Sequence, residues 1–334
     1  MRRDRRPGRK PHLRRGAPVK FLLIGAGGVG VYFCGRAALG GAHLEVVAHS
    51  AADAIAAHGY HVQSVAGDFV LRPEKVLTSA SECSPDIDAI ILATKVLPEV
   101  DRVKLLAPAA MLPSHPPIVL IQNGIGIEQE IADAFPDNEI ISVIAYIGVR
   151  REAPDRIVHQ GAGRLILGKF ASADTTTAER IASEFRRGGV ECKVTSDIAL
   201  ERWRKLLWNL PFNTVSVLSG GLDTRQMCDG GRVENLCLAL MREVIAIANA
   251  AGVPLTEEMA QRQLAYTRDF PAYLTSMYQD FAAGRPLEVD AVVGNAHSVA
   301  CRRGVDAPLV MCCAKLLRQA DLKNRNARRR EKEE

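Results

Sequence analysis

Several features are missing from this 334-residue sequence, and each absence removes a class of function. No apolar run reaches the roughly 18 to 20 residues that a membrane-spanning helix needs, so no membrane partner is expected. The eight cysteines, at 34, 83, 192, 228, 237, 301, 312 and 313, contain no CxxC pair. That scatter suits neither a zinc site nor a disulfide framework; no metal is expected, and reduced thiols in a cytoplasmic protein are. No internal repeat stands out. The N-terminal stretch lacks both the apolar core of a secretory signal and the serines of a transit peptide.

Charge of one sign is also scarce outside that stretch. Eight Lys/Arg against Asp4 alone put +7 into residues 1–16, so the rest of the chain carries −2 of the net +5. A near-neutral body gives no signal for nucleic acid. The basic stretch itself reads either as a contact for an anionic partner or as a disordered extension. What remains is ordinary globular composition, 47% hydrophobic and 24% charged, in a chain long enough for two domains.

The stretch that organises the chain is Lys20-Phe21-Leu22-Leu23-Ile24-Gly25-Ala26-Gly27-Gly28-Val29-Gly30. An apolar strand pattern runs into a G-x-G-x-x-G turn, with a helix-compatible segment after it. In a dinucleotide-binding turn the first glycine permits the tight turn, the second lets backbone approach the pyrophosphate, and the third lets helix pack on strand. The anion then meets the unpaired N–H groups of a helix N-terminus, here at Ala26, Gly28 and Val29 among others. The second strand, 44–48, ends in His49-Ser50 rather than in the acidic residue that binds an NAD ribose. A missing carboxylate argues against strict NAD preference; His49 is either a weak phosphate partner or a surface histidine at a strand end.

Strand patterns continue at 59–65, 69–72, 88–93, 118–121, 139–147 and 164–168, with a helix expected over 98–112. The run 88–93 delivers Thr94-Lys95 to its carboxyl end, where ligands of open α/β sheets bind. Lys95 is therefore placed for a substrate carboxylate or a cofactor, or is a solvated loop lysine. The run 118–121 ends in Gln122-Asn123-Gly124, either a polar amide offered to a ligand or a plain Asn-Gly turn.

From about residue 196 the period becomes helical, over 197–218, 230–251, 257–283 and 286–320, and the charge-dense residues 323–334 are expected to fray. The fold class expected is α/β: an N-terminal Rossmann-type doubly wound sheet plus an all-helical C-terminal domain. Residues 1–17 form a basic tail, 18–195 the dinucleotide-binding domain, 196–322 the helical substrate and catalytic domain, and 323–334 a charged tail. Within the helical part, Lys205, Asn209 and Asn213 fall on one face at i, i+4 and i+8, among Leu206, Leu207, Trp208, Leu210 and Phe212. Polar groups in such a setting need polar company. Either they line a pocket, with the ammonium as proton donor, or the lysine snorkels and the amides are satisfied internally. Pro211 is expected to kink or break this helix near Asn213. Gly284-Arg285-Pro286 marks a turn, and Glu288 falls in the first turn of the next helix, where an acid is expected for capping alone.

Taken together, the glycine turn, Ala93-Thr94-Lys95, Gln122-Asn123-Gly124, Trp203-Arg204-Lys205 with Asn209 and Asn213, and Ser276 twelve residues before Glu288 resemble the ketopantoate reductase family. Gly294, Gly304-Val305 and Pro308 are similar to that family's closing helices. The resemblance implies NADPH-dependent reduction of a small 2-oxo acid, with Lys205 as general acid and Asn123, Asn209, Asn213 and Ser276 as substrate-binding residues. It further implies that Lys95, Asn123, Gly148 and Glu288 serve the cofactor side of the cleft, and that the protein is a homodimer. Two positions depart from the family pattern. His49 stands where an arginine usually meets the 2′-phosphate, which leaves NADH open, and Asp223 stands near a usual asparagine. A different 2-oxo acid and a non-enzymatic nucleotide sensor are the alternatives.

Overall fold

The computed structural model describes residues 18–48, 52–269 and 271–333; the basic stretch 1–17 and His49 lie outside the described residues. Ten strands form one sheet: β1 (Lys20–Ile24), β2 (His43–Val47), β3 (Tyr60–Ser64), β4 (Phe69–Leu71), β5 (Lys75–Leu77), β6 (Ala89–Leu92), β7 (Ile118–Ile121), β8 (Ile140–Ala153), β9 (Arg156–Lys169) and β10 (Glu191–Val194). Their order is β4-β3-β9-β8-β7-β6-β1-β2-β5, with β10 beside β9. From β5 to β8 all neighbours are parallel. β1, β6 and β7 are continuous apolar runs because both faces are covered, as parallel strands require.

The expected α/β sheet is present, but it is mixed rather than simply doubly wound. β8 and β9 form a long antiparallel pair, and β3 and β4 are antiparallel beyond it. Both strands of the β8–β9 pair run past the expected 139–147 and 164–168 into polar sequence, which the hydrophobic pattern alone does not mark.

Helices α1 (Gly28–Leu39), α2 (Ala52–His58), α3 (Arg102–Ala110), α4 (Gln129–Ala134) and α5 (Thr176–Arg187) belong to the sheet half. α1 and α5 cover one face, where Phe21 and Phe185 stack with ring centroids 5.9 Å apart. α3 lies over the other face and starts at Arg102, not at 98, because the Asp101 side chain accepts from the Lys104 N–H and caps it there. α1 crosses α5 closely through glycine. A Cβ on Gly188 would fall 1.9 Å from the Arg36 carbonyl oxygen, and Arg36 Nε donates to Gly188 O at 2.8 Å.

The helical half comprises α6 (Ile198–Leu218), α7 (Thr224–Met227), α8 (Arg232–Ala250), α9 (Glu257–Asp269), α10 (Ser276–Ala282), α11 (Asn295–Arg303) and α12 (Pro308–Glu333), with a π-helical segment at Asp290–Gly294. Three expectations are corrected here. α6 runs unbroken through Pro211: that ring removes one backbone donor, but residues 210–217 are buried in the helical core and packing holds the helix. The long patterns 257–283 and 286–320 are each divided, the second at left-handed Gly304 with Pro308 opening α12. α12 does not end at 322 but continues to Glu333. Asn324 Nδ2 donates to Phe281 O at 2.8 Å and Arg325 Nη1 pairs with Glu99 at 2.7 Å, so one face of its charged sequence has fixed partners. All eight cysteines are free, and no helix among the described residues is long and apolar enough to cross a membrane.

The glycine crossing generates a stability prediction. Gly188→Ala is expected to destabilise by about 1–3 kcal/mol or more through overpacking. Gly161→Ala, whose Cβ would meet nothing within 4 Å, should stay within about 0.5 kcal/mol. Urea unfolding of the two variants reads both values.

Candidate active site

The carboxyl ends of β1, β6 and β7 meet where the strand order reverses, the place at which open α/β sheets bind ligands. Gly25 makes its turn at φ +100°, and a Cβ there would lie 2.4 Å from Thr94 N; one on Gly30 would lie 2.6 Å from Gly25 O. A Cβ on Gly27 would meet nothing within 4 Å, so the backbone on that side is open to approach. α1 then starts with no side-chain cap and no acid in its first turn, which leaves its first N–H groups for an anion. Ala26 and Val29 pack against the sheet core. These residues fit a dinucleotide pyrophosphate. Gly148 is in β8 beside Val149, whose side chain borders Gly28, and Gly148 lines neither cavity described below.

Two narrow, adjoining cavities that open to solvent extend from this edge into the helical half, and both are lined by Asn123 and Asn209. The first is also walled by Lys205, Arg202 and Ile144, the second by Asn213, Ser276, Asp280 and Glu288. Lys205, half-buried on α6, donates to Asn123 Oδ1 at 2.8 Å and to Ala145 O at 2.7 Å. An ammonium has three donors, so one remains for a ligand. Burial first, then the Arg202 cation, lowers its pKa from 10.5 to about 8, while Glu288 opposes that shift. Asn213 Oδ1 accepts from the Met277 N–H at 3.3 Å, which ties α6 to the start of α10 beside exposed Ser276.

Glu288 does not cap a helix from its first turn, as expected. It stands just before the helical segment, and its carboxylate accepts from the Val96 N–H at 2.9 Å across the cleft. Burial pushes its carboxyl above the ordinary 4.5; the Val96 N–H, Lys95 and the Asn123 amide pull the other way. Lys95 is no free loop lysine: it pairs with Asp280 at 2.7 Å and donates to Pro286 O at 3.2 Å. Asp223 is not a cleft residue. It is the N-cap of α7 and forms a capping box with Gln226, so its carboxylate holds backbone N–H rather than facing the cavities.

The sequence singled out Lys205, Asn209 and Asn213 by their spacing but passed over Arg202, three residues before Lys205. Arg202 is buried and ion-paired with buried Glu128. Its Nη1 donates to Gln122 O and Gly124 O, each at 2.9 Å, and its Nε to Ser142 Oγ at 2.7 Å. The loop it grips is held from behind as well: Ile125 N donates to Ala291 O at 3.1 Å and Asn295 Nδ2 to Ile125 O at 2.7 Å. A Cβ on Gly124 would collide with Ala291 O at 2.2 Å, so only glycine admits this contact. Among the described residues no group of three His, Cys, Asp or Glu is placed to hold a metal.

The family model for ketopantoate reductase PanE/ApbA matches residues 21–172, and the model for its C-terminal part matches 197–321. The 2-dehydropantoate 2-reductase of Nostoc sp. is 30% identical over 311 residues, 92% of this chain and 96% of that one. The chain belongs to the ketopantoate reductase family. It is thus an oxidoreductase whose family implies a nicotinamide cofactor. Among solved structures it is similar to the 2-dehydropantoate 2-reductase of Methylococcus capsulatus, with TM-score 0.86 and 38% identity over 92% of this chain and 98% of that one. The corresponding enzyme of Geobacter metallireducens aligns with TM-score 0.84 and 32% identity, covering 90% and 100%.

Breaking the buried pair tests the site's scaffold. Glu128→Ala leaves the Arg202 guanidinium buried without its carboxylate and is expected to cost about 3–5 kcal/mol in urea unfolding.

Proposed function

We propose that the chain is a 2-dehydropantoate 2-reductase, reducing ketopantoate to pantoate. The observation that carries this reading is the Lys205 ammonium, held by Asn123 Oδ1 and Ala145 O with one N–H left over at the carboxyl edge of the sheet. The nicotinamide, when bound, would supply the hydride chemistry for the ketone carbon. Lys205 points its third N–H at the ketone oxygen and gives it the proton as charge develops there; the neutral amine then recovers a proton from solvent. Asn209, Asn213 and Ser276, on the wall of the second cavity, are assigned to the substrate's hydroxyl and carboxylate. Asn123 joins the two ends, because it borders both cavities and accepts from Lys205.

Gly25, Gly27, Gly28 and Gly30 are assigned to the cofactor pyrophosphate, and Lys95, Gly148 and Glu288 to the cofactor side of the cleft. NADPH is the assigned cofactor, supported by the family resemblance and by the absence of an acidic residue at the end of β2, where a fixed negative charge would repel a 2′-phosphate.

Two measurements test these assignments. Steady-state rates with NADPH and NADH over a small panel of 2-oxo acids should give the highest kcat/KM for ketopantoate with NADPH; a higher value for another acid or for NADH replaces that part of the reading. Lys205→Ala should lose about 10²- to 10⁴-fold in kcat. Because the donor must be protonated, kcat/KM for reduction should be level below about pH 8 and fall above it, following the Lys205 ammonium.

A further inference from the structure

Lys205 reaches across from α6 to two segments of the sheet half, the 122–124 loop after β7 and the middle of β8. Arg202 lies one turn earlier on the same helix and grips those same two segments. Its Nη1 donates to the carbonyls on either side of Asn123, and its Nε to Ser142, three residues before Ala145. Ser142 in turn donates to Glu128 at 2.8 Å, so the guanidinium, hydroxyl and carboxylate form one buried cluster. We propose that Arg202 is a positioning residue for the reduction: it locks the proton donor Lys205 and its partner Asn123 to one another and sets the field in which Lys205 holds its proton. This inference rests on Lys205 being the general acid.

Geometry and general electrostatics both support it. The five groups Arg202 reaches, Val143 O at 3.5 Å among them, leave little freedom in either segment. A buried ion pair is weak evidence for stability, so specificity of geometry is its better-attested role. A fixed cation one turn from an ammonium also disfavours protonation of that ammonium. The other charged and titratable groups around Lys205 are few. Glu288, on the wall of the adjoining cavity, acts on it through its charge, and the Tyr146 ring of β8 lies 5.5 Å from Nζ with Arg164 of β9 over the same ring. Asp280 of α10 is paired with Lys95, Glu201 of α6 with Arg204, and Arg102 of α3 acts on Arg202 itself.

The test is the pH profile of kcat and kcat/KM for NADPH-dependent ketopantoate reduction in the wild type, Arg202→Met, Arg202→Lys and Glu128→Gln, with NADPH affinity measured alongside. Arg202→Met removes the charge and the grip. Its kcat should fall at least about tenfold, its alkaline limb should move to higher pH, and NADPH affinity should hold within about threefold. Arg202→Lys keeps the charge but not the forked donors, so kcat should fall while the limb stays in place. Glu128→Gln removes the anion that offsets Arg202, so its limb should move to lower pH. Opposite shifts in Arg202→Met and Glu128→Gln are a signature that general loosening of the fold would not produce. A wild-type kcat and an unmoved limb in Arg202→Met overturn the inference; if that variant does not fold, an unmoved limb in Glu128→Gln does so. A wild type with no alkaline limb overturns the Lys205 reading and this inference with it, whereas a limb that the variants leave in place overturns this inference alone.

Discussion

A guanidinium removed from water needs a partner for its charge and for its donors, and the join between the two halves of this molecule is built on meeting that need at Arg202. Glu128 supplies the charge; Ser142 and the carbonyls of Gln122 and Gly124 take the donors. These partners come from the loop after β7, the segment before α4 and the body of β8. A single residue of α6 therefore fixes that helix against two pieces of the sheet half, both ends of the β7–α4 connection and β8. Lys205, Asn209 and Asn213 follow on the same helix, so their positions over the strand ends are inherited from this one attachment.

The opposite wall of the cleft is assembled differently. There the π-helical segment Asp290–Gly294 brings the Ala291 carbonyl onto Gly124, and Asn295 holds Ile125. π-type turns leave carbonyls out of the regular helical ladder, and they recur at functional sites for that reason. The Asn123 loop is thus clamped between α6 on one side and an irregular turn on the other. The Asn-Gly pair read from the sequence as either a turn or a ligand-binding amide is both, since Gly124 has φ +95° while the Asn123 side chain meets Lys205.

What could be read in advance follows a physical rule. β1, β6 and β7 were legible because burial on both faces demands unbroken apolar runs, and the glycine turn because Gly25 and Gly30 leave no room for a side chain. The α6 polar face was legible because helical period places Lys205, Asn209 and Asn213 in line. Contacts between distant segments were not. Glu128 is 74 positions from Arg202 with nothing local to mark the pairing, and the Val96–Glu288 bond spans 192. Asp223 misled because an aspartate before a short helix and an aspartate in a pocket look alike in sequence. Pro211 misled because its local cost is visible, whereas the surrounding packing that outweighs it is not. The end of α12 was misread for the same reason: Asn324 meets the Phe281 carbonyl and Arg325 meets Glu99, not solvent alone.

The two halves are held together unequally along the cleft. At the Lys205 end the attachment is a buried cluster. At the other lip the Val96 N–H bond to Glu288 and the Lys95 bond to Pro286 O are joined by two ion pairs, Lys95 with Asp280 and Glu99 with Arg325, which are still reached by water and correspondingly weaker. The join is thus driest where Lys205 meets Asn123 and wettest at the lip that Lys95 and Glu99 share with the helical half.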